Sequence, residues 1–264
     1  MKRLFCVVVV FVALAISGVC CADTITANWT WYDSPPVHEH TGGAFFWDIT
    51  SSTPAGWNNA QFVTVKQGNA GWAAHSGPTQ RVISFCIDKD QNIKNTYTLY
   101  DDIADVPIST VPAKLGVLGK AMVEELWAEH FWGVGGVKET WENGSAADAR
   151  LYVDAFQVAI WEIVYDKAWA VDADTDLRVA LDLNEGNNQW TGNAAIFDKA
   201  QEWLDDVDNS FLVKTPVLFG WDEPSAGDVS QGQIVERIPE AATVINLMGL
   251  GLMIGLVGIR RWRR

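Results

Sequence analysis

Arg81-Val82-Ile83-Ser84-Phe85-Cys86-Ile87-Asp88 (residues 81–88) decides how this chain is read. The run is rich in β-branched and aromatic residues and holds no glycine or proline, which predicts a strand. Val82, Ser84, Cys86 and Asp88 share one face; Ile83, Phe85 and Ile87 share the other. The bulky face belongs to a core, so Cys86 looks toward whatever packs on the opposite side. A second stretch answers it, Asp154 to Asp166 (DAFQVAIWEIVYD). Ser145-Ala146-Ala147-Asp148 resembles a capping box and starts a helix expected to run to about Ala168. Tyr152, Phe156, Ala159, Ile160 and Ile163 form its apolar stripe. Gln157 sits at the stripe's margin, placed to reach from a helix into a sheet.

Outward from these two segments, residues 23–91 read as β structure. Thr24 to Trp31, Ala44 to Ile49 and Gln61 to Lys66 are short runs separated by turn-rich pieces such as Ser51 to Gly56 and Gly68 to Gly71. Tyr97 to Tyr100 adds another. Lys114 to Phe131 is helical in pattern, Gly133 to Gly144 reads as a loop, and Asn193 caps a helix over Ala194 to Val207. Ser210 to Trp221 reads as a strand interrupted by Pro216, and residues 222–238, rich in Asp, Ser, Gly and Gln, read as a linker. The expected fold is α+β: a sheet or sandwich portion with a helical subdomain that carries Gln157, over residues 23–221.

The charge is uneven. The terminal segments hold six of the 19 basic residues and one of the 33 acidic ones, which leaves residues 23–239 with 13 basic, 32 acidic and a net charge of −19. Phosphate binding needs clustered Lys and Arg, so nucleic acid and anionic membrane surfaces are excluded as partners of this body. The 14 tryptophans call first for aromatic packing, with surface rings that meet carbohydrate or protein as the second use.

Both ends read as addresses. Lys2-Arg3, the apolar run Leu4 to Ile16 and the small residues before Ala22 make residues 1–22 a secretory signal. A lipoprotein site at Cys20 or Cys21 is disfavoured by Val19 and Cys20 in front of it. At the other end a 19-residue apolar span, Ala241 to Ile259, precedes Arg260-Arg261-Trp262-Arg263-Arg264. About 20 residues cross a bilayer, and the arginines hold that end in the cytoplasm. Removal of residues 1–22 leaves Cys86 as the one cysteine of the exported chain, so an intramolecular disulfide is closed to it.

Two motifs, Phe85-Cys86-Ile87-Asp88 and Gln157-Val158-Ala159-Ile160-Trp161, resemble the signature segments of bacterial thioester domains, the adhesin domains that form an internal Cys-Gln bond. The resemblance implies that the Cys86 thiol and the Gln157 carboxamide condense with loss of ammonia, with Phe85, Asp88 and Trp161 as supports, and Trp161 packed under the bond. It implies covalent, single-turnover attachment by acyl transfer to an amine or hydroxyl on a surface or matrix partner, with no cofactor and no metal. The tail, residues 239–264 with Pro239-Glu240, the span 241–259 and Arg260-Arg261, resembles a PEP-CTERM sorting signal of biofilm-forming bacteria, which exosortase systems process during export. Ala241 stands where that pattern has a second proline; an ordinary single-span anchor is the plainer reading. Either way the body is placed outside the cytoplasm, at the cell surface or in the extracellular matrix.

Against this stands a non-covalent carbohydrate- or protein-binding matrix protein, with Cys86 an inert buried thiol and Gln157 an exposed helix residue. His38-Glu39-His40 lacks a third metal ligand. Asp172-Ala173-Asp174-Thr175-Asp176 opens like a calcium loop, but has Leu177 and Leu183 where glycine and glutamate are needed. A cysteine hydrolase would need His75 or His130 as base, with no protease signature around the thiol.

Overall fold

The computed structural model describes residues 23–31, 44–53, 55–66, 68, 80–87, 95–106, 115–132, 134–165, 194–207, 216–222 and 232–238. The strands are β1 (Thr24–Trp31), β2 (Phe45–Thr53), β3 (Thr64–Lys66), β4 (Gln80–Cys86), β5 (Thr96–Tyr100), β6 (Leu218–Asp222) and β7 (Gln233–Glu236). The helices are α1 (Gly116–Leu126), which runs on into a π-helical turn over Trp127–Phe131, then α2 (Val137–Asn143), α3 (Ala146–Tyr165) and α4 (Ala194–Asp206).

The strand order β2-β1-β5-β6-β7-β4 closes on itself through a β2–β4 pairing. The result is a six-stranded barrel in which every pair is antiparallel, with β3 set end to end with β7 along one edge of β4. The fold is α+β as expected, but the β portion is a barrel and not a sandwich. Closure satisfies the strand edges that an open sheet of this size leaves exposed.

β4 is the strand that both layers share, and every residue after Gln80 on it is buried. Its Ser84 side meets Trp47, whose ring packs edge-on against Tyr97 of β5 and Trp221 of β6 with centroids 5.3 and 5.6 Å apart. Those strands lie across the ring from β4, so this is the barrel interior. The Phe85 side meets helices: its ring lies 4.8 Å from Phe156 of α3, and 5.5 and 6.3 Å from Trp127 and Phe131 of the π-helical turn. The expectation that Ile83, Phe85 and Ile87 face a core therefore holds, and the opposite face is buried as well.

Two stretches differ from expectation. Residues 233–236, placed by composition in the 222–238 linker, form β7, so the domain extends beyond 221. A four-residue strand carries too short an alternation to stand out among polar neighbours; its pairing with both β4 and β6 makes it a strand. The expected loop over 133–144 contains α2, which tertiary contacts hold in place of periodicity. Trp141 stacks on Phe46 at 4.6 Å and its indole donates to the Lys66 carbonyl at 2.9 Å. Glu142 accepts from the Lys66 N–H at 3.0 Å. No described helix is long and apolar enough to cross a membrane. The expected signal (1–22), span (241–259) and basic tail lie outside the described residues.

Candidate functional site around Cys86

α3 begins as its sequence predicts, with the Asp148 N–H donating to Ser145 Oγ at 3.1 Å and the Ser145 hydroxyl donating to the Asp148 carboxylate at 2.6 Å. From Ala155 to Tyr165 every residue of the helix is buried. Gln157 is fully buried too, which removes the reading of it as an exposed helix residue.

Its carboxamide grips the backbone of Cys86 at both polar atoms. The Cys86 N–H donates to Gln157 Oε1 at 2.8 Å, and Gln157 Nε2 donates to the Cys86 carbonyl at 2.7 Å. The ladder explains why those groups are available. On the β7 side the Ile87 N–H bonds the Gly232 carbonyl at 2.9 Å. Antiparallel alternation then turns the polar backbone atoms of Cys86 to the other side of β4. There the register with β2 ends at Phe45↔Ser84. A primary carboxamide offers one donor group and one acceptor, as a peptide unit does, so Gln157 acts as the next rung of that ladder.

The same alternation makes Cys86 and Gln233 a directly opposed pair without ladder bonds between them, the geometry in which antiparallel side chains come closest. Gln233 Nε2 donates to Cys86 Sγ at 3.0 Å. Gln233 Oε1 accepts from the Ser84 hydroxyl at 2.7 Å, and Ser84 Oγ accepts from the Trp47 indole at 2.6 Å. Cys86, Gln157, Gln233, Ser84 and Trp47 are all fully buried. Two carboxamides thus bracket one reduced cysteine, one on its backbone and one on its sulphur.

Of the expected supports, Phe85 anchors the aromatic cluster between β4 and the helices. Trp161 is buried one turn beyond Gln157 on α3. The rings that meet Phe85 edge to face come from Trp127, Phe131 and Phe156. Asp88, Pro239, Glu240, Arg260 and Arg261 lie outside the described residues, as do His38-Glu39-His40 and Asp172 to Asp176. Among the described residues no group of His, Cys, Asp and Glu is arranged to hold a metal ion.

Sequence reasoning missed Gln233, Ser84 and Trp47. Gln233 was hidden in the polar stretch before the tail, and only its register opposite Cys86 gives it meaning. It also missed Glu236, whose carboxylate accepts from the indoles of Trp127 and Trp132, both at 2.7 Å. Burial pushes that carboxyl above the usual range, against the pull of the two indole bonds.

The fold and site together define an antiparallel barrel with a helical layer, enclosing a cysteine between two glutamines. No family model matches the chain, and neither the curated proteins nor the solved structures contain a match to it.

Proposed function

We propose that Cys86 and Gln157 condense to an internal thioester and that the protein is an exported, single-turnover covalent adhesin. The observation that carries the reading is the two-point grip of the Gln157 carboxamide on Cys86. In the condensation the Cys86 sulphur attacks Gln157 Cδ, the C–S bond forms, the C–N bond breaks and the thiol proton leaves on ammonia. The negative charge that develops on Oε1 falls where the Cys86 N–H already donates, an oxyanion donor of the kind worth about 3 kcal/mol in acyl transfer. Holding thiol and carboxamide on a strand and a helix supplies effective molarity that a free amide lacks. Full burial keeps water from the product.

Attachment follows when an amine or hydroxyl on a surface or matrix partner takes the acyl group and returns the thiol. An isopeptide or ester cross-link remains, with no further turnover. Export by residues 1–22, and a PEP-CTERM-like tail over residues 239–264 with a membrane span at 241–259, complete the proposal. They place the domain at the cell surface or in an extracellular, biofilm-type matrix. The alternative of a tryptophan-rich binding surface draws less support, because Trp47, Trp127, Trp141, Trp161, Trp203 and Trp221 are spent on packing.

Intact mass tests the bond. The purified protein should be lighter than its sequence mass by one ammonia, Cys86→Ala and Gln157→Ala should each carry no deficit, and methylamine should convert the deficit into an adduct. A wild-type protein at full sequence mass overturns the proposal.

A further inference from the structure

We infer that Gln233 is a positioning residue for the Cys86 sulphur, and that Ser84 and Trp47 set the direction in which its amide points. The inference rests on the thioester reading and concerns a residue that the reading does not need.

The indole N–H of Trp47 can only donate, so Ser84 Oγ, 2.6 Å away, must accept it. The hydroxyl hydrogen of Ser84 is then available for Gln233 Oε1 at 2.7 Å. With its oxygen engaged, the Gln233 amide can present only its NH₂ end to Cys86 Sγ, at 3.0 Å. The direction of the chain is therefore imposed by a donor-only group at its far end. All four residues are fully buried, so water does not compete for these bonds.

The chemistry gives that donor a purpose. When the thioester forms, sulphur attacks carrying the electron pair that its proton leaves behind. When an amine later takes the acyl group, the C–S bond breaks and the electron pair returns to sulphur, which recovers a proton from the amine. Negative charge gathers on sulphur in both directions, and an N–H aimed at it lowers both barriers. Gln157 supplies the acyl carbon and the donor-bound oxygen; Gln233 serves the sulphur.

The test uses Gln233→Met, which keeps the length of the side chain and removes the donor. Three readouts are made on the full chain: the ammonia deficit, the rate of methylamine adduct formation, and the pH midpoint for alkylation of the thiol in a Gln157→Ala background. The expected result is a retained deficit, methylamine cleavage slower by about tenfold, the rate equivalent of one lost hydrogen bond to a developing charge, and an alkylation midpoint moved upward. Wild-type rates together with an unmoved midpoint overturn the inference and leave the thioester standing. A wild-type protein lacking the deficit instead removes the thioester reading, and the alkylation midpoint then still reports whether Gln233 holds the sulphur. Should Gln233→Met not fold, Ser84→Ala frees the amide to rotate: a smaller slowing and a smaller upward shift support the inference, and no change in either overturns it.

Discussion

The side-chain amide of Gln157 replaces a strand at Cys86, taking that residue's N–H at 2.8 Å and giving a hydrogen bond to its carbonyl at 2.7 Å. A helix residue thereby completes a sheet ladder, and the barrel and the helical layer become one unit at this point. The grip has a mechanical consequence as well as a chemical one.

Gln157→Ala strands two buried backbone groups, whereas Cys86→Ala keeps both of those hydrogen bonds and loses the sulphur with the weaker N–H···S bond from Gln233. Both variants lack the proposed covalent bond. Denaturant titration should therefore find Gln157→Ala less stable than Cys86→Ala by about 2 kcal/mol, the cost of leaving buried polar groups unmet. Equal stabilities would show that the grip adds nothing beyond the cross-link.

Glu236 gives a pH dependence. Its carboxyl is raised above the ordinary glutamate value of 4.5 because burial penalises the charge, despite the Trp127 and Trp132 bonds. The folded state therefore binds this proton more tightly than the unfolded chain. The resulting stabilisation is present below the unfolded pKa and is lost as pH rises through the folded one. Glu236→Gln keeps an acceptor for both indoles without the charge. It should be more stable than wild type at neutral pH, and the difference should close as pH falls toward 4.5. Thermal melts across that range decide it, and a wild type that outlasts the variant at neutral pH contradicts the account.

Gly220 on β6 is a packing contact in the wall of the barrel. A Cβ built there would lie 1.8 Å from Val106 Cγ2. Gly220→Ala should destabilise by about 1–3 kcal/mol, typical of overpacking. Val106→Ala removes the colliding methyl groups, so the double variant should be more stable than the sum of the two single changes allows. Strict additivity in that cycle would exclude the clash as the cause.

The burial of Cys86 and Gln157 sets the route to the proposed bond. An acyl acceptor must wait for local opening, so methylamine cleavage should speed up in urea well below the unfolding transition. Larger primary amines should lag behind methylamine by more than they do on a small-molecule thioester. Rates indifferent to both urea and amine size would mean that the bond is reached without opening.

Much of the architecture was legible because local signals agree with the tertiary outcome. The β-branched alternation of residues 81–88 describes a strand whose bulky face meets helices, and the Ser145–Asp148 pair marks where α3 begins. Gln157 was singled out by the resemblance of Gln157-Val158-Ala159-Ile160-Trp161 to a thioester-domain segment, and its place at the margin of an apolar stripe set it to reach from a helix into a sheet. β7 and α2 were not legible. Both are short, and each is held by partners distant in the chain: β7 by β4 and β6, α2 by Phe46 and Lys66.

The pairing of Cys86 with Gln157 came from the resemblance of their two motifs to thioester-domain segments. By itself the sequence determined which segments are strands and helices along most of the body, and its acidic and apolar balance. Those are properties of local periodicity and composition, which need no partner. Only the tertiary structure decided that the sheet closes into a barrel, that Gln157 meets the backbone of Cys86 as a ladder rung, and that Gln233 stands on the sulphur. Register and closure depend on pairings between residues as far apart as Cys86 and Gln233, and no stretch of chain carries its pairing partner's address.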